Sequence, residues 1–166
     1  GILTVTSCFV SDNEHIGIVN KETGVANLVG STIANNYDRG EGAAGNITNS
    51  NSADLRIENS TILTGQGTGL SVEDGTVEVV NTTFNGMSKE TNGQGGHPGI
   101  GVNEGIVRVT NSTISNHGEA SSGAGIGLDG GGTVTLQNTI VSGNTACCGE
   151  ADIEGPVTDL GNNEGV

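Results

Sequence analysis

Aromatic side chains are almost missing from this chain of 166 residues, which has no Trp, one Tyr and two Phe. That shortage, with an apolar content of only 32%, argues against an ordinary globule, whose interior is closed by bulky side chains. Positive charge is scarce too: five Lys and Arg stand against 19 Asp and Glu, a net charge of −14. Neither nucleic-acid phosphates nor anionic lipid headgroups attract a polyanion, so no nucleic acid and no membrane surface is expected as a partner. No apolar run approaches the ~20 residues of a spanning helix, and no basic-plus-apolar leader opens the chain. The chain starts inside a repeat without an initiator Met. A segment of a longer chain, or of an end-to-end assembly, is therefore expected, with residues 1–166 forming a single β-solenoid domain.

Glycine is abundant, at 30 residues, but it clusters between short apolar runs, where turns need positive φ. The runs themselves repeat one phrase: two alternating apolar residues, a small polar pair, a threonine and another apolar residue. Leu55-Arg56-Ile57-Glu58-Asn59-Ser60-Thr61-Ile62 is one copy and Val107-Arg108-Val109-Thr110-Asn111-Ser112-Thr113-Ile114 another. The frame also fits Val77 to Phe84, Val134 to Val141, Ala26 to Ile33 and Leu3 to Val10. Its second apolar position falls on Val5, Leu28, Ile57, Val79, Val109 and Leu136, at intervals of 23, 29, 22, 30 and 27 residues. Strand-type alternation at such a period predicts a solenoid in which each coil supplies one layer of a continuous core.

Side-chain alternation assigns the columns of that solenoid. Thr4, Asn27, Arg56, Glu78, Arg108 and Thr135 should face outward, with Glu78 between two arginines. The corner column Ser7, Gly30, Asn59, Asn81, Asn111 and Asn138 suits a left-handed backbone, and stacked asparagines there predict an asparagine ladder held in a buried stack. Thr32, Thr61, Thr83 and Thr113 should line the outside of a second strand whose inward residues are Val10, Ile33, Ile62, Phe84, Ile114 and Val141. A third strand is expected at Ile16 and Ile18, Ile47, Leu70 and Val72, Ile100 and Val102, Ile126 and Leu128, and Ile153. The long connections 35–45, 85–99 and 115–125 all fall between second and third strands and should crowd one edge, where binding is sought first.

The phrase and its Gly-rich link resemble the right-handed parallel β-helix proteins of the pectin-lyase-like architecture, and more narrowly the secreted repeat proteins of the polymorphic outer-membrane and choice-of-anchor type. Val134-Thr135-Leu136-Gln137-Asn138-Thr139-Ile140-Val141-Ser142-Gly143-Asn144-Thr145 carries the match best, and the tail from Gly155 to Asn163 resembles the way such arrays end. The resemblance implies an all-β, right-handed parallel β-helix of about six to seven coils with three short strands per coil, and an extracellular or cell-surface location. It does not select a function, because one fold hosts enzymes and adhesins alike.

An enzyme of this architecture would use clustered carboxylates against acidic or neutral polysaccharide. Glu58 and Glu78 lie in neighbouring columns beside Arg56 and Arg108. Tyr37, Asp38, Arg39, Glu90, His97, His117 and Glu119 lie in the long connections and are the ligand-binding candidates, although polar residues in loops are more often plain solvated surface. The lack of Trp argues against lectin and glycosidase together, the Gly-Gly-x-Gly-x-Asp calcium repeat is absent, and only one outward Thr column is regular enough for an ice-binding face. No metal and no cofactor is expected.

Four sequons occur, at Asn46, Asn59, Asn81 and Asn111. Three coincide with the corner column, leaving Asn46 as the better glycan candidate. Cys8 stands about 24 Å, or five layers, from Cys147 and Cys148, too far for an intramolecular bridge. Three arrangements stay open: an inter-subunit disulfide from Cys8 to Cys147 or Cys148, a vicinal pair, or free thiols. The first function class is thus an extracellular non-enzymatic module stacking head to tail into a fibre or appendage, with copies of itself, surface glycans or cell receptors as partners. The second is a polysaccharide lyase or hydrolase, and the third a receptor-binding or spike segment.

Overall fold

The computed structural model describes residues 1–36, 44–88, 97–118, 120 and 123–166. Every strand pairing in it is parallel, and the strands fall into three sheets that the chain visits in turn. The first sheet has seven strands: Ile2–Thr6, Val25–Val29, Asp54–Glu58, Thr76–Val80, Ile106–Thr110, Thr133–Gln137 and Val157–Asp159. The second has six, Phe9–Ser11, Thr32–Ala34, Thr61–Gln66, Thr83–Ser88, Thr113–Ser115 and Ile140–Ser142. The third also has six, Ile18–Asn20, Ala44–Asn49, Thr68–Val72, Ile100–Val102, Ile126–Leu128 and Ile153–Glu154. Each of six coils contributes one strand to each sheet and Val157–Asp159 begins a seventh, which makes the molecule a parallel β-solenoid.

In the first two sheets the register matches the sequence columns residue for residue. Val5, Leu28, Ile57, Val79, Val109 and Leu136 lie over one another, as do Thr4, Asn27, Arg56, Glu78, Arg108 and Thr135. In the second sheet Val10, Ile33, Ile62, Phe84, Ile114 and Val141 stack inward beside the outward threonines. From Leu28 to Leu136 the first of these inward columns is fully shielded, and Phe84 is its bulkiest neighbour in the core. Stacking explains how so few apolar residues suffice, since each aliphatic group is covered by its equivalents above and below. In the third sheet Ile18 stacks on Ile47 but its strand runs to Asn20, so Ile16 precedes the strand and does not share the column. Asn20 instead donates Nδ2 to Asn49 Oδ1 at 2.8 Å inside the core.

Two left-handed corners per coil turn one sheet into the next. At the first, Ser7, Gly30, Asn59, Asn81, Asn111 and Asn138 all have φ between 49° and 58°. The asparagines make the expected ladder in two rungs, Asn81 Nδ2 to Asn59 Oδ1 at 2.6 Å and Asn138 Nδ2 to Asn111 Oδ1 at 2.7 Å. The expectation of a buried stack is corrected, because these four asparagines are exposed. A left-handed residue points its side chain off the corner, and the following residue turns inward. Ser31, Ser60, Thr82, Ser112 and Thr139 are therefore the buried column. Each hydroxyl donates to the carbonyl two residues earlier, as Ser112 Oγ does to Thr110 O at 2.8 Å. Four of them also accept the amide proton of the coil before: Cys8 N–H to Ser31 Oγ, Ser31 N–H to Ser60 Oγ, Ser60 N–H to Thr82 Oγ1 and Thr82 N–H to Ser112 Oγ.

The second corner follows the second sheet. Asp12, Asn35, Thr64, Gly86, Asn116 and Gly143 have positive φ there, and the connections of variable length leave from this edge. The next residue again turns in. Asn13 N–H donates to Asn36 Oδ1 at 3.2 Å, Met87 N–H to His117 Nδ1 at 3.1 Å, and His117 N–H to Asn144 Oδ1 at 3.0 Å.

Candidate functional site

Of the ligand-binding candidates, Tyr37, Asp38, Arg39, Glu90 and Glu119 lie outside the described residues. His97 and His117 are described, and they serve separate arrangements.

His97 is a buried imidazole laid on the outer face of the third sheet. Its seat is made by glycine: Gly101 and Gly127 pair across adjacent strands at outward positions, and a Cβ at Gly127 would fall on the ring. Ile100, Val102 and Ile126 beside them point into the core, so alternation leaves the glycines as the only floor on which the ring can lie flat. Nε2 of His97 is 3.0 Å from Asp129 Oδ2, and Nδ1 is 3.2 Å from Gly123 O and 4.0 Å from Glu154 Oε2. This gathers one imidazole and two carboxylates from three successive coils. Asp129 and Glu154 are not among the sequence candidates; the missed signal is the outward glycine that recurs in Ile100-Gly101-Val102 and Ile126-Gly127-Leu128.

His117 takes the place in the second corner that Asn occupies in other coils. Burial pushes its pKa down to about 4, and the Phe84 carbonyl opposes the shift. Its Nε2 is buried without a hydrogen-bond partner. Asn36 and Asn144 satisfy the equivalent position by donating Nδ2 to Val10 O at 3.1 Å and Ile114 O at 3.3 Å.

On the outer face of the first sheet, Arg56 joins Glu58 through Nη2 at 3.0 Å and Glu78 through Nη1. Hydrogen bonds to Glu58 and then Glu78 raise the Arg56 pKa above its ordinary value. Both carboxylates considered for acid–base work are thus engaged by one guanidinium. Among the described residues no group of three or more His, Cys, Asp or Glu could hold a metal ion, and no helix is long and apolar enough to cross a membrane.

The sequons are corrected as well. Asn46 is completely buried and donates Nδ2 to Leu63 O at 3.2 Å, Thr64 O at 3.1 Å and Met87 Sδ at 3.3 Å, whereas Asn59, Asn81 and Asn111 are exposed. Cys147 and Cys148 form the vicinal disulfide, and Cys8 is a free exposed thiol. Cys8 belongs to the first-corner column of Ser31 and Thr139, while Cys147 and Cys148 follow the second corner.

The family model described as a right-handed beta helix region matches residues 46–154, about two thirds of the chain. The chain belongs to the right-handed β-helix family. No curated protein and no solved structure matches it. Family membership agrees with the three parallel sheets and with the corner asparagines, and it leaves function to be argued from this chain's own surfaces.

Proposed function

We propose that the chain is an extracellular, non-enzymatic structural module that joins copies of itself end to end through its first coil. One observation supports this reading above others. Leu3 stands in the column that continues through Ala26, Leu55, Val77, Val107 and Val134, all buried, yet it is 44% exposed. Ile2 and Phe9 of the same coil are 81% and 67% exposed. Among the described residues the strands Ile2–Thr6, Phe9–Ser11 and Ile18–Asn20 are each at the end of their sheet, so one row of backbone donors and acceptors in each faces a further layer. An apolar layer with open parallel edges is a template for another β-layer, supplied by a second copy or by a preceding coil of a longer chain.

The opposite end differs. Asp159 fills the column position of Leu136 and accepts from Gly161 N–H at 2.6 Å, and Glu164 pairs with the last strand of the second sheet. A hollow of about 450 Å³ beside it is lined by Glu150, Ala151, Asp152, Ile153, Val157 and Val166. Contact between unlike ends is heterologous and extends as a filament. Adhesion to surface glycans or cell receptors is the task proposed for that fibre, and binding of the assembled form to glycan arrays and cells tests it. Stacking is tested by light scattering over a range of concentrations with negative-stain microscopy. Growth of rods that Leu3→Asp with Phe9→Asp returns to monomers, at unchanged circular dichroism, supports it; a monomer at all concentrations removes it.

A second reading, a polysaccharide lyase or hydrolase, has the His97, Asp129 and Glu154 group in its favour. The charge of −14 repels acidic polymers and places this reading second. Incubation with uronic-acid and neutral polysaccharides, scoring new reducing or unsaturated ends, decides it.

A further inference from the structure

The corner asparagines that open three sequons are offered to solvent in a way that ranks them as modification sites. We propose that Asn111, and Asn59 two coils away, are the N-glycan carriers of this fold, and that Asn81 and Asn46 are not. In its native setting this rests on the extracellular reading; the acceptor geometry stands by itself.

The glycan bond forms at Nδ2 and replaces one of its two protons, so that atom must be accessible and any hydrogen bond it donates must be held by the one proton left. Asn111 uses only Oδ1, which accepts from Asn138 Nδ2. Asn59 likewise accepts at Oδ1 from Asn81, and its Nδ2 makes only a long contact of 3.4 Å to Glu58 Oε1. Attaching a sugar at either Nδ2 therefore leaves the ladder intact. Asn81 donates one Nδ2 proton to Asn59, so a sugar there leaves a single proton to hold that rung, whereas the rungs at Asn59 and Asn111 rest on Oδ1 and are untouched. Asn46 has its Nδ2 committed to three acceptors inside the core. A glycan there is incompatible with the fold.

Spacing adds an independent constraint. Successive coils are about 4.8 Å apart, narrower than a hexosamine ring, so glycans on neighbouring corners collide while those two coils apart clear each other. Asn59 and Asn111 are two coils apart, with Asn81 between them. Space for the first sugar is also present at Asn111, which lines an open groove of about 600 Å³ with Asn81, Thr113, Asn138, Asn162 and Asn163.

The chain is secreted from a cell line that glycosylates sequons, and the folded fraction is treated with a glycan amidase in heavy-oxygen water and mapped by mass spectrometry. Label at Asn111 and Asn59, several-fold above Asn81 and absent at Asn46, supports the proposal. Thr113→Val, a substitution on the outer wall, then removes the Asn111 label alone, and enzymatic removal of glycan leaves the thermal midpoint unchanged. No label at either Asn111 or Asn59, label at Asn46 in the folded fraction, or Asn81 exceeding both overturns it. A failure here counts against the acceptor geometry, whereas the extracellular stacking reading fails only on the assembly measurements.

Discussion

His117 Nδ1 accepts the amide proton of Met87 from the preceding coil at 3.1 Å, the bond that asparagine makes at the same corner elsewhere. Imidazole completes only half of the asparagine pattern, because its Nε2 finds no partner. His117→Asn should keep the Met87 bond and add a donor toward Phe84 O, raising stability by about 1 kcal/mol in urea melts. The substitution also carries a pH signature. With the folded pKa lowered to about 4 from 6.5, the unfolded chain takes up the proton first. The stabilisation from neutral His117 is complete above 6.5 and is lost as pH falls toward 4, on the order of 3 kcal/mol in all. The difference between wild-type and His117→Asn unfolding curves should therefore widen across that window; a constant difference refutes the assignment.

Ser112→Ala removes the acceptor of the Thr82 amide proton and leaves a buried N–H orphaned. A loss of about 1–3 kcal/mol is expected in chemical denaturation, while Ser112→Thr should recover most of it, since Thr82 and Thr139 already fill the same column.

Gly127→Ala places a methyl group where the His97 ring lies. The ring must leave its seat and its Asp129 contact, which a shift of the imidazole resonances in NMR will register, with stability lower by about 1–3 kcal/mol. Gly131→Ala, where a Cβ meets nothing within 4 Å, is the matched control and should leave both unchanged.

Reduction of Cys147–Cys148 opens a ring between neighbours in sequence, so little chain entropy is released in the unfolded state. The expected cost is about 1 kcal/mol or less, read as a thermal midpoint that moves by no more than a few degrees on adding a dithiol. A collapse of the midpoint would mean that the pair does more than join neighbours.

The wall of the solenoid was legible in the sequence because a strand reverses its side chains at every residue. Once Ile57, Val79 and Val109 were aligned, Arg56, Glu78 and Arg108 had to share the outside. The corners were half legible. Asparagine announced the left-handed residue, but the turn reverses which neighbour faces in, so Ser60 and Ser112 went unrecognised as the buried column and Asn59 and Asn111 as the exposed one. The sequon at Asn46 was preferred because it lies outside the corner column, yet in the third sheet its amide replaces a missing corner side chain beside Gly65, accepting from Asn36 N–H and donating to Thr64 O. His97 was found as a polar loop residue, but its partners Asp129 and Glu154 belong to later coils, and no spacing along the chain reveals which coils lie side by side.

Asn59, Asn81 and Asn111 redirect the chain through one and the same bend, so a cut made after any of them can be rejoined after another with no change of heading. Length is therefore a free variable of this molecule: duplicating residues 82–111 adds one step to the ladder, removing residues 60–81 subtracts one, and the rise per step stays fixed by backbone geometry.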